Sequence, residues 1–140
     1  MSGTLVEVLS RDQCLALLAQ APVGRVGITV RALPVILPVN FALLDASVIF
    51  RTVAGTKLSA ATANNVVAFE VDSYEEGGSS GWSVLVQGMA TEVEDAVAKA
   101  SAFAALSAPW GVGEAADRVV RIDIQMISGR QFGISLSKRQ

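Results

Sequence analysis

A chain of 140 residues, 51% hydrophobic and 17% charged, has room for one core and needs no disulfide or metal to fold. Its net charge of −2, from 11 basic and 13 acidic side chains, excludes a general nucleic-acid binder, which draws its affinity from a basic surface. Histidine is absent and Cys14 is the one cysteine, which excludes Ser–His–Asp and Cys–His nucleophiles, His-ligated zinc or haem, CxxC metal sites and intramolecular disulfides.

So few charges beside so much apolar surface favour a homodimer that shares an apolar face. The lone cysteine, and a start at Met1–Glu7 without the pattern of a signal peptide, lead to the expectation of a cytoplasmic protein. The apolar stretch 33–44 is broken by Pro34, Pro38 and Asn40 and is shorter than the about 20 residues of a membrane span, so no membrane is expected.

In chain order, residues 5–9 read as an extended arm. Ser10-Arg11-Asp12-Gln13 is a capping box that starts a helix, with Cys14, Leu17 and Leu18 as its apolar stripe and Pro22 as its stop. Strands follow over 23–30, over 35–44 with Pro38 marking an edge or a bulge, and over 47–52. A short helix covers 55–63. The next strand, 66–72, turns Val67, Phe69 and Val71 to one face and Ala68, Glu70 and Asp72 to the other. Glu70 and Asp72 read as a solvated strand face or as paired carboxylates.

Residues 75–81 form a loop rich in Gly and Ser. Residues 82–93 make a strand long enough to need a bend at Gly88, and 97–106 make the last helix. A loop over 108–117 holds Trp110. The alternation over 119–127 predicts a half-buried strand, and 129–134 completes the sheet. The expectation is a mainly β domain spanning residues 1–140: a six- to seven-stranded antiparallel split barrel with short flanking helices. With no βαβ alternation and no GxGxxG after a strand, a Rossmann domain is excluded.

The segment Arg51-Thr52-Val53-Ala54-Gly55-Thr56-Lys57 carries the chemistry. A strand ends at Thr52, Gly55 frees the turn and Thr56 can cap the helix that Lys57 begins. Two cations, two hydroxyls and a helix start describe a phosphate pocket. They equally describe an ordinary strand-to-helix turn with two solvated cations. A lysine in a first helical turn opposes the helix dipole, which adds weight to an anion.

Gly24-Arg25-Val26, Pro38-Val39-Asn40-Phe41, Phe50-Arg51-Thr52 through Gly55-Thr56-Lys57-Leu58, Phe69-Glu70-Val71-Asp72, Gly81-Trp82-Ser83-Val84 with Gly88, and Gly129-Arg130-Gln131-Phe132 occur in one order along residues 10–134. Together they resemble the pyridoxamine 5′-phosphate oxidase-like FMN-binding split barrels, in the nitroimidazole-reductase-like branch. The resemblance implies FMN as cofactor, an oxidoreductase activity on a small molecule of unassigned identity, and a homodimer with flavin sites at its interface. It places the FMN phosphate on Arg51, Thr52, Thr56 and Lys57, and the isoalloxazine along Pro38, Val39 and Asn40. It sets Ser83 near the flavin with Trp82 beside it, although Trp82 also reads as core. Trp110, Arg130 and Phe132 would reach the other subunit's flavin.

Alternatives on the same barrel are a deazaflavin, which needs a groove for a longer tail, or haem, for which Cys14 and Tyr74 are poor ligands. A non-catalytic flavin carrier or sensor and a cofactor-free barrel are the others. The acidic stretch Glu92, Glu94 and Asp95 stands where a pyridoxamine phosphate oxidase needs a second phosphate site, so that activity is not expected.

Overall fold

The computed structural model describes residues 5–106 and 116–133. Its strands are β1 (Val6–Val8), β2 (Val23–Val30), β3 (Leu33–Asn40), β4 (Ala42–Leu44), β5 (Ser47–Thr52), β6 (Asn65–Tyr74), β7 (Gly81–Glu92), β8 (Arg118–Asp123) and β9 (Met126–Phe132). The helices are α1 (Arg11–Gln20), α2 (Lys57–Ala61) and α3 (Ala96–Ala105). All nine strands join one antiparallel sheet that runs β3-β2-β6-β7-β8-β5-β4, with β9 pairing both β7 and β1.

The local reasons are those read from the residues, with four differences. The capping box forms: Gln13 N–H donates to Ser10 Oγ at 3.2 Å, and Ser10 N–H donates to Gln13 Oε1 at 2.8 Å. Cys14 and Leu18 are buried on the inner face of α1. The arm at the start is a true strand, because Val6 and Val8 pair with Phe132 and Arg130. The strand expected over 35–44 is two strands, since Phe41 turns inward and packs edge-on against Phe69 with ring centres 4.8 Å apart. The middle helix keeps only Lys57–Ala61, and the alternation over 119–127 breaks after Asp123, leaving Met126 exposed on β9. The expected six or seven strands are thus nine among the described residues.

The break after Asp123 has a partner on β7. From Gly81 to Gln87 that strand pairs with β9, and from Ala90 to Glu92 it pairs with β8. Gly88 sits at the change of partner, where an added Cβ would lie 1.7 Å from the Asp123 carbonyl oxygen. The missing side chain lets one long strand bend across two neighbours.

Two hairpins tighten the sheet. Arg31-Ala32 joins β2 to β3 and Asp45-Ala46 joins β4 to β5, all four residues with positive φ, the turn form that matches strand twist. The main core lies inside the curl, between α1 and the inner faces of β2, β5, β6, β7 and β8, around Phe50 and Phe69. A second, smaller cluster of Ile49, Ala102 and Val119 sits on the opposite face of β5, under α3.

Candidate functional site

Because side chains alternate along β5, Arg51 and Thr52 leave on opposite faces. Arg51 follows Ile49 toward α3. Its guanidinium lies 4.4 Å from the centre of the Phe103 ring, and its Nε–H donates to the Ala116 carbonyl at 2.8 Å. The plane of the guanidinium is therefore set from two sides, while among the described residues its Nη groups have no partner. Thr52 follows Phe50 inward. It is 3% exposed, and its Oγ1 is buried with no hydrogen-bond partner.

The turn that follows is tight: Thr56 N–H donates to Val53 O, and Gly55 takes φ +81°. Thr56 caps α2 by accepting from Ser59 N–H at 3.2 Å, and its own hydroxyl donates to Val53 O at 2.8 Å. That proton is committed inside the turn. Lys57 is exposed and lines a groove of about 730 Å³ between α2 and the Arg31-Ala32 turn, together with Arg31, Gly55, Thr56 and Asn65. Arg51 and Thr52 do not line it. The four residues expected to converge on one point thus separate: Thr56 and Lys57 lie on the groove, Arg51 turns toward α3 and Thr52 turns into the core.

β3 stands at one end of the sheet path. On it Pro38 is exposed, Val39 belongs to the core, and Asn40 is half-buried with its Oδ1 fully buried and unpartnered. Trp82 and Ser83 are half-buried on β7, and the register brings Arg130 opposite Ser83 and Phe132 opposite Gly81. Phe132 packs near Tyr74, ring centres 6.1 Å apart. Trp82 touches the core and also lines a cavity of about 420 Å³ with Pro22, Arg25 and Asp72. The Trp82–Phe132 group is therefore assembled at the β7–β9 end, apart from the turn after β5. Trp110 lies outside the described residues.

One arrangement was not legible in the residues. Arg25 on β2 reaches across to β6, its Nη1 donating to Asp72 Oδ2 at 3.1 Å and to Glu70 Oε1 at 3.4 Å. Burial first, then a hydrogen bond with Asp72 and the charge of Asp72, raise the Glu70 carboxyl from 4.5 to about 7 against the opposing pull of Arg25. Of the two readings of this face, paired carboxylates is the one found, with Arg25 bridging the pair. The signal was the shared face of Glu70 and Asp72; its partner, 45 residues away, depends on strand register. Of the acidic stretch after β7, Glu92 pairs with Arg118 at 3.2 Å and Asp95 caps α3 by accepting from Ala98 N–H at 2.9 Å. Cys14 is 1% exposed in the core, and burial pushes its thiol up. No cluster of metal-ligating side chains occurs among the described residues, and no described helix is long and apolar enough to cross a membrane.

This geometry has relatives. An uncharacterized protein of Mycobacterium tuberculosis is 40% identical over 133 residues, which cover 91% of this chain and 86% of that one. The structure of an FAD-binding protein from Mycobacterium smegmatis is similar with a TM-score of 0.71 and 34% identity, over 91% of this chain and 98% of that one. An FAD-binding protein from Mesorhizobium loti is similar with a TM-score of 0.74 and 25% identity, over 93% of this chain and 98% of that one. The curled antiparallel sheet is that of a split barrel. Residues 10–131 match the pyridoxamine 5′-phosphate oxidase family, and with that extent of match and these relatives the chain belongs to that family.

Proposed function

We propose that this chain binds a flavin nucleotide in a homodimer and acts as a flavin-dependent oxidoreductase on a small molecule. One observation carries the reading. Among the described residues, Asn40 Oδ1 and Thr52 Oγ1 are the buried side-chain polar atoms without a partner. Both belong to positions where the family resemblance places the cofactor. A buried polar group left unpaired costs about 1–3 kcal/mol, so two of them at such positions call for a polar ligand. The residues present fit a flavin nucleotide: preset donors on Arg51, a mobile cation on Lys57, and polar groups on β3.

A bound flavin supplies hydride or electron transfer. The chain does the rest. Phe103 and Ala116 hold the Arg51 guanidinium ready for two parallel hydrogen bonds to a phosphate, and Lys57 adds charge without fixed geometry. Thr56 keeps the turn closed through Val53 and Ser59 rather than spending its proton on the ligand. Asn40 and the free edge of β3 orient the ring system. The Trp82, Ser83, Arg130 and Phe132 group stands apart from the phosphate residues within one chain, so the reading assigns it to the flavin held mainly by the partner subunit.

Titration of FMN and riboflavin by flavin fluorescence tests this. Charge-assisted hydrogen bonds contribute about 1.5–3 kcal/mol each, so Arg51→Ala should weaken FMN by roughly one to two decades, and Lys57→Ala by less. Riboflavin, without the phosphate, should bind poorly to the parent and be nearly insensitive to either change. A parallel loss for both ligands, or no loss for either, would show that the turn is only a turn.

A further inference from the structure

We propose that a second copy of this chain docks on the outward face of β3-β2-β6-β7-β9, and that each copy takes up a proton on Glu70 as it docks. The inference rests on the homodimer of the flavin reading and extends it to the face that meets and the proton that meeting consumes. Side chains alternate along each strand, so the register sets this face out in rows. Arg25, Glu70 and Leu85 stand side by side in one row, and Ile36, Gly27 and Ala68 in the next. Gly27 and Ala68 leave a trough of about 280 Å³, walled by Ile36 and Leu85 and flanked by Arg25 and Glu70. Among the described helices none covers it: α1 and α2 pack Leu18 and Leu58 into the core inside the curl, and α3 lies over Ile49 and Val119.

A second copy fits this face in size, shape and position. β2 and β3 have 8 residues each. At about 3.4 Å per residue and about 4.8 Å between strands, five such strands make a face of about 24 by 27 Å. That is the scale of a stable interface, which buries about 800 Å² on each partner. A twofold dimer presents one face to itself, so a knob beside a hollow on one copy meets a hollow beside a knob on the other. Ile36 beside Gly27 and Ala68 is such a pair. Ser83 and Arg130, which the flavin reading assigns to the partner's flavin, are opposite each other on this same face. The proton follows from the charges. β2 sets Arg25 against Glu70, and β6 sets Asp72. β7 offers Leu85 and β3, beyond Arg25, Pro38, neither of which titrates; β9 adds Arg130, beyond Ser83 from Asp72. Two carboxylates on one guanidinium leave an excess negative charge, and a twofold partner repeats that excess in a space that excludes water. A proton on Glu70 removes it from both copies. One copy alone already holds this proton up to about 7, chiefly through burial, and covering the carboxyl lifts that value further.

Sedimentation of the full chain with FMN, over a dilution series at about pH 6 and about pH 8.5, measures the dissociation constant of the dimer on both sides of the titration. With one proton taken up per copy, the parent should dissociate at least about tenfold more readily at the higher pH. Glu70→Gln, always neutral, should keep the tighter constant at both values. Ile36→Asp should give monomers at both, and Met126→Asp, at the other side of the face, is the second variant of this kind, with circular dichroism to show that each is folded. Val97→Asp, on an exposed position of α3, should behave as the parent. A constant that ignores pH, a pH dependence that survives in Glu70→Gln, or a dimer that tightens at the higher pH because Arg130 of one copy neutralises the acids of the other, overturns the proton. A dimer that folded Ile36→Asp and Met126→Asp leave intact overturns the face while the homodimer stands. A parent that is monomeric at both values overturns the homodimer and this proposal together. The flavin site is read separately, through the response of FMN binding to Arg51→Ala and Lys57→Ala.

Discussion

Glu70 and Asp72 meet at a single nitrogen, Nη1 of Arg25, which lies 3.4 Å from one carboxylate and 3.1 Å from the other. One cation cannot balance two carboxylates, and Glu70 is the one that keeps its proton, up to about pH 7.

Stability should therefore depend on pH through Glu70. Its folded value, about 7, lies above the ordinary 4.5, so between these the folded chain holds a proton that the unfolded chain has released. The contribution is fully present below the ordinary value and is lost as pH rises through the folded one. Glu70→Gln should raise the thermal midpoint at about pH 8 and change it little at about pH 5. Melting curves at both values check this. A lower midpoint for the variant at the higher pH would show that the ion pair with Arg25 outweighs the burial and repulsion.

Gly88→Ala should destabilise by more than about 2 kcal/mol, because the new Cβ meets backbone that cannot swing away. The contact is the Asp123 carbonyl at 1.7 Å, with Gln125 N at 3.3 Å behind it. Urea denaturation measures the difference. A loss within about 0.5 kcal/mol would mean that the β8–β9 junction gives way easily.

In solution the protein should sediment at twice the chain mass of 14.6 kDa at micromolar concentration, with one flavin per chain. Ile36, Val66 and Met126, each about two-thirds exposed on the sheet, are apolar surface that a lone chain leaves in water. A flavin-loaded monomer would refute the shared site.

Pyridoxamine 5′-phosphate should not be turned over usefully. Arg118 neutralises Glu92, yet Glu94 and Asp95 keep the stretch after β7 acidic. Product formation in a direct absorbance assay with flavin-loaded protein decides it, and efficient oxidation would refute the expectation.

Local signals were legible and cross-strand ones were not. The Ser10–Gln13 box, the bounds of β2 and β5 and the bend at Gly88 follow from a few neighbouring residues. The division of β3 from β4 depends on Phe41 finding Phe69, and the end of β8 depends on the bend in β7, both events between distant segments. In the site, the residue types of the Arg51–Lys57 turn were readable. Their separation was not, although alternation along β5 could have placed Arg51 and Thr52 on opposite faces. The Phe103 and Ala116 contacts that orient Arg51 lie 52 and 65 positions away, beyond any local pattern.

The prolines of β3 set how copies of this chain can meet. Alternate residues of an antiparallel strand turn their N–H groups away from the neighbour, and Pro34 and Pro38 fit in β3 because they occupy those outward positions. Between them the outer margin offers one N–H, that of Ile36, along a run where an invading strand would need three. A chain this rich in apolar residues is exposed to fibre growth by strand addition, and this margin refuses the first step.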